Sequence, residues 1–125
     1  MGLSNMEYDH LRAEVRKVGA EHGAARGSWV ISGNTPKESA QRILQGIEDG
    51  DPEVLDALPQ LSMGEWADDP TQNDIVSEAA YRGRVPVDPA DLDPELMDEL
   101  ISDYQTAWDE GMTNEVERDA RSAAA

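Results

Sequence analysis

Twenty-seven carboxylates set against ten lysines and arginines decide what chemistry this chain can support, because other reactive side chains are few. Cysteine is absent, which removes thiolate nucleophiles, disulfides and thiolate metal sites together. The two histidines, His10 and His22, lie twelve residues apart. On one helix that spacing separates them by about 120°, too far round to share a metal or act as an acid–base pair. No G-x-S-x-G elbow is present, Ser28 and Ser32 have no evident base partner, and glycines 19, 23, 27 and 33 are not followed by a phosphate-cradling G-K-[ST]. Hard-cation ligands are plentiful in Asp88, Asp91, Asp93 and Glu95 and in Asp49, Asp51 and Glu53. Neither run makes a calcium loop: from Asp91, the position that needs glycine is Leu96 and the position that needs glutamate is Ser102. Helix capping accounts better for Asp51 and Asp93. The expectation is a protein that is not an enzyme and has no metal or cofactor.

What remains is the layout of the charge. Residues 1–42 hold five acids and six bases, whereas residues 43–117 hold 21 acids and two bases, Arg82 and Arg84, within a net charge of −17. A uniform acidic bias would spread along the chain, so segregation points to one surface selected to be negative, for which the plain alternative is a solvated face that keeps the protein soluble. Direct nucleic-acid binding by counterion release is improbable at this charge. A basic protein partner fits it. The residues expected to carry such a contact are Glu95, Asp98, Glu99, Asp103, Asp109 and Glu110, with Asp68, Asp69 and Asp74 as a second patch.

The elements that must position these acids read as helices. At 125 residues one domain is expected, and it reads as a mainly α single-domain bundle of four to five helices with a long amphipathic helix at the C-terminus. Ser4-Asn5-Met6-Glu7 is a capping box, followed by Leu11, Val15 and Val18 at helical spacing; this helix is expected to run on through the twenties toward Trp29, with a break into an extended 28–31 as the alternative. Gly19, Gly23 and Gly27 recur every four residues at a cost of ~1 kcal/mol each against alanine, which suggests that another helix comes close there. Thr35-Pro36-Lys37-Glu38 opens a second helix, with Ala40, Ile43, Leu44 and Ile47 as its apolar stripe and Gly50 as its stop. Asp51-Pro52-Glu53 opens a third, limited to about two turns by Pro59. Leu61 to Pro70 reads as an ordered loop pinned by Trp66, and Thr71-Gln72-Asn73-Asp74 opens a fourth helix ending at Gly83. Two prolines make 84–89 irregular. Trp29, Trp66 and Trp108 are expected as core anchors.

The last helix opens at Asp93-Pro94-Glu95 and can reach about residue 121. On a wheel of 100° steps its apolar residues, from Leu96 and Met97 to Trp108 and Met112, fill one side, and of the eight acids from Glu95 to Glu117 all but Glu115 fill the other. Eight acids between Pro94 and Glu117 amount to one per ~4.5 Å of axis, near the ~3.4 Å phosphate spacing of one DNA strand. That density suggests imitation of nucleic acid.

Gly33-Asn34-Thr35, the run from Ile43 through Gly46-Ile47-Glu48-Asp49-Gly50-Asp51-Pro52-Glu53, and Leu61-Ser62 with Gly64-Glu65-Trp66-Ala67-Asp68 together resemble small acidic proteins of actinobacterial phages and plasmids. The resemblance spans roughly residues 29–75. It implies a mobile-element origin, among whose small acidic proteins inhibitors of host restriction and CRISPR machinery are familiar, and it carries no functional residues across. Two lysines against eight arginines suit a GC-rich genome. The expected function is therefore a phage-type inhibitor that occupies the basic groove of a nucleic-acid-binding defence protein. The alternative is an assembly protein, a homodimer or larger oligomer, that self-associates through the glycine face of the first helix. MGLSNMEYDH lacks a basic start and an apolar run, and no stretch approaches the ~18 apolar residues of a membrane span, so a cytoplasmic location without membrane contact is expected.

Overall fold

A computed structural model describes residues 3–61 and 71–125. Its order is α1 (Asn5–Gly27), α2 (Lys37–Asp49), α3 (Pro52–Leu61), α4 (Gln72–Gly83), a single 3-10 turn (Pro89–Asp91) and α5 (Pro94–Ala124), with no strand among the described residues. The all-α single-domain expectation holds, including the long final helix.

The helix starts follow the side chains that were expected to make them. Ser4 Oγ accepts from the Glu7 N–H and the Glu7 carboxylate accepts from the Ser4 N–H, each at 3.1 Å, so two of the donors that every helix start leaves orphaned are satisfied reciprocally. Thr71 and Asp74 repeat the arrangement at α4. Asp93 caps α5 by accepting from the Glu95 N–H, with Pro94 in the first turn. At α2 the expected cap is displaced by one residue: Pro36 occupies the cap position, while Thr35 Oγ1 accepts from the Ser32 N–H and holds the preceding turn. The expected limit at Pro59 is also corrected, since α3 continues to Leu61. A proline late in a helix deletes one hydrogen bond, and here the helix outlasts that loss.

α1 and α5 form the spine of the molecule and lie side by side in parallel. Gly19, Gly23 and Gly27 face the backbones of Tyr104, Trp108 and Met112 in step, and a Cβ at Gly19 would lie 2.6 Å from the Tyr104 carbonyl oxygen. Gly111 of α5 returns the contact against Ala20. The glycine spacing thus marks close approach, as expected, and the partner is another helix of the same chain. Self-association through that face, the alternative assembly reading, loses its surface because α5 already covers it.

Two apolar clusters flank this spine. Leu11, Val15 and Val18 of α1 pack with Ile75, Val76 and Ala79 of α4 and with Leu100 and Tyr104 of α5. Ile31, Leu58, Met112, Val116 and Ala120 form the second, against Ile43, Leu44 and Ile47 of α2. Half-buried Trp108 borders both. Successive buried positions on α5 step by four at Met112, Val116 and Ala120. Each such step advances ~400°, or ~40° past a full turn, so the buried stripe winds from α4 toward α2 and α3.

Two further expectations change. α1 runs unbroken to Gly27, yet Ser28 to Val30 form turns and not the extended alternative. Trp29 is 58% exposed and is no core anchor; Ile31, two residues later, takes the buried position. Trp66 lies outside the described residues.

Candidate functional site

The six carboxylates expected to act together on α5 separate into different environments. Glu95, Asp98, Asp109 and Glu110 are exposed and have no cationic partner among the described residues. Glu99 is exposed as well but accepts a hydrogen bond of 2.5 Å from the Tyr8 hydroxyl. Burial of the phenol, together with that bond to a carboxylate, pushes the Tyr8 pKa up to about 12.

Asp103 departs from the expectation. Its carboxylate accepts from Arg12 Nε at 2.7 Å and from Arg12 Nη2 at 3.3 Å, with Arg16 Nη2 3.6 Å away, and its side chain is 17% exposed. The Arg12 hydrogen bonds hold its carboxyl below the usual aspartate value. It ties α5 to α1 and is not a free phosphate surrogate. Sequence reasoning missed this pair, although a signal existed. Placed at 100° steps, Arg12 and Arg16 fall within about 60° of Gly19, Gly23 and Gly27. Any helix that settles on the glycines must meet those arginines.

Neutralisation continues toward the C-terminus. Glu115 pairs with Arg118, and Glu117 with Arg121, which also reaches Glu48 at 3.4 Å. Burial, then the nearby Glu115, raises the Asp119 pKa above the usual value. Of the eight acids between Pro94 and Glu117, Asp103, Glu115 and Glu117 have cationic partners. The remaining carboxylates average one per ~7 Å of axis, about half the linear density of a DNA strand. They form two groups, Glu95, Asp98 and Glu99, then Asp109 and Glu110, with Asp98 and Asp109 ~16 Å apart along the helix. The continuous stripe expected from the wheel is therefore a bipartite one.

The second patch fares differently. Asp74 is exposed, but its carboxylate accepts from the Thr71 N–H at 3.2 Å and serves the α4 cap. Asp68 and Asp69 lie outside the described residues.

Among the described residues nothing else gathers into reactive geometry. His22 sits between helices, its Nδ1 2.9 Å from the Tyr104 hydroxyl and its Nε2 3.6 Å from Glu78, while His10 is exposed beside Gly83. An open groove of about 560 Å³ between α1 and α5 is lined by Arg16, Lys17, Asp103, Thr106, Glu110 and Asn114, with charges balanced in number. Among the described residues no three histidines, aspartates or glutamates are placed to hold a metal ion. No described helix is long and apolar enough to cross a membrane.

Comparison of the chain with protein-family models, with curated proteins and with solved structures returns no match. The likeness of residues 29–75 to phage and plasmid proteins accordingly rests on the quoted phrases alone.

Proposed function

We propose that this protein is a non-enzymatic binding protein whose last helix docks a basic protein. Within that reading it acts as a phage-type inhibitor, and the partner is a nucleic-acid-binding protein of a restriction or CRISPR system. The observation that carries the proposal is the state of Glu95, Asp98, Asp109 and Glu110, exposed and unneutralised while Asp103, on the same helix, is held by α1 arginines. Like charges left this way repel one another and cost stability, a cost that a binding role explains. The bipartite spacing suits a partner with two basic clusters ~16 Å apart better than one that reads an unbroken run of phosphates. Imitation of nucleic acid is then a matter of charge at two places, not of strand-like density.

The test is reversal of all four residues, E95K, D98K, D109K and E110K together. Proteins captured from a bacterial lysate by the wild-type chain should be basic, be displaced by duplex DNA, and elute between ~50 and 200 mM salt. The reversed variant should keep its helix content and retain none of them. Equal capture by both forms would remove the proposal.

A further inference from the structure

A second surface lies at the end of α4. Gly83 is packed so closely by α1 that a Cβ there would stand 2.9 Å from Glu14 Cγ and 3.0 Å from the His10 ring. The left-handed residue that ends the helix therefore falls one position later, on Arg84 at φ 54° and ψ 40°. Arg84 is the only non-glycine residue with positive φ among those described. Glycine or asparagine usually takes this position, because a Cβ is strained there. An arginine in this conformation carries a strain cost that a role for its side chain would offset.

Its surroundings say what that side chain could meet. Tyr81, one turn earlier, is 86% exposed. With Ser77, Arg84, Val85, Pro86 and Val87 it lines an open concavity of about 700 Å³. Arg82 is occupied, donating to Glu21 at 2.6 Å and to Glu78 at 2.9 Å. Arg84 has no ion pair among the described residues, and it is one of only two bases between residues 43 and 117. Exposed tyrosine beside arginine, with Pro86 as apolar surface on an otherwise mixed lining, is a composition found at protein-contact hot spots, and the concavity is too open to enclose a small molecule.

We propose that this patch docks a second copy of the chain. The Tyr81 ring, Pro86 and the exposed part of Val87 supply apolar contact, and the Arg84 guanidinium takes a carboxylate from the start of the other copy's α5, Glu95 or Asp98. Charge complementarity selects this occupant: the one unpaired cation of the acidic stretch meets unpaired carboxylates that the same protein displays. The contact does not depend on α5 also binding a foreign protein. It has the opposite salt response, since two copies at −17 repel until salt screens them. Association should strengthen between ~10 and 150 mM salt, as the Debye length falls from ~30 to ~8 Å.

Sedimentation velocity and native mass measurements on the full chain, up to millimolar concentration, test this. The wild type should form dimers or larger species. Arg84→Gly separates binding from folding: it relieves the strained dihedral, so Tm should rise by ~3 °C or more while association weakens ~10-fold or more. Tyr81→Ser should lose association with Tm unchanged. Mixing R84E with the E95R/D98R double variant should restore a complex that neither forms alone. A wild type that stays monomeric at every salt concentration overturns the proposal, as does R84G association equal to wild type or an Arg84 dependence found only with a foreign protein.

Discussion

Asp103 shows how one residue can leave the role its sequence position suggests. On the wheel it belongs with the acids of α5, and in the fold it is the carboxylate that α1 holds through Arg12 and Arg16. Its pKa is lowered, chiefly by the Arg12 hydrogen bond, so the folded state favours the ionised form. The contribution to stability is therefore fully present above the unfolded value of about 3.8 and is lost as pH falls through the depressed folded value. Asp103→Asn should cost ~1–2 kcal/mol at neutral pH, since it leaves a half-buried guanidinium with a weaker acceptor. Denaturant midpoints measured from pH 7 downward should converge for wild type and variant once the carboxylate protonates. A gap that stays constant at every pH down to acid unfolding would mean that the residue acts by shape and not by charge. The same reasoning explains why six acids could be nominated from sequence and not sorted. Helical periodicity fixes which side of α5 a residue occupies, but it does not say that Arg12 and Arg16 reach across from a helix about ninety residues earlier.

Elements were more legible than contacts, for a physical reason. Capping boxes, first-turn prolines and a stopping Gly50 are local, and the hydrogen bonds that Ser4, Thr71 and Asp93 make involve residues no more than three positions away. The α1 glycines announce a close approach because their cost needs compensation, yet nothing local names the partner. The structure supplies α5, lying parallel. Thr35 and Pro59 show the limit of local signals: either of two adjacent residues can serve as the cap, and one proline late in a helix need not end it. Trp29 lies outside the core because apolar character says only what a residue tolerates, while the turn after Gly27 decides which of Trp29 and Ile31 faces the core. The glycine contact makes a sharp prediction. Gly23→Ala would drive a methyl group into the Trp108 backbone, which cannot yield as a side-chain tip can. It should destabilise by ~2–3 kcal/mol or more despite alanine's better helix propensity. Gly33→Ala, with open space around it, should be near neutral. Thermal unfolding of the two variants side by side checks this, and an unharmed G23A would mean that α1 and α5 can separate at this point at little cost.

For the whole molecule the governing quantity is −17 distributed on a 125-residue body. Two electrostatic effects compete. Local ion pairs such as Arg12 with Asp103, Arg82 with Glu21 and Glu78, and Arg121 with Glu48 and Glu117 favour the folded state. Self-repulsion of the excess carboxylates opposes it, because folding gathers them into a smaller volume. Magnitudes decide the outcome. Exposed pairs are typically worth ~0–1 kcal/mol each, and contacts near 3 Å lie well inside a Debye length of ~8 Å at physiological salt, so they are weakly screened. Repulsion between the separated groups of α5 acts over ~16 Å and is screened strongly. Added salt should therefore remove more destabilisation than stabilisation, and Tm should climb as sodium chloride is raised from ~10 to 500 mM. The E95K/D98K/D109K/E110K variant loses four negative charges and gains four positive ones, which brings the net charge from −17 to −9, and it should begin higher and climb less. A wild-type Tm that falls over this range would show that the ion pairs outweigh the repulsion. The exposed acids would then impose no stability cost, and their retention would need no binding role to offset one.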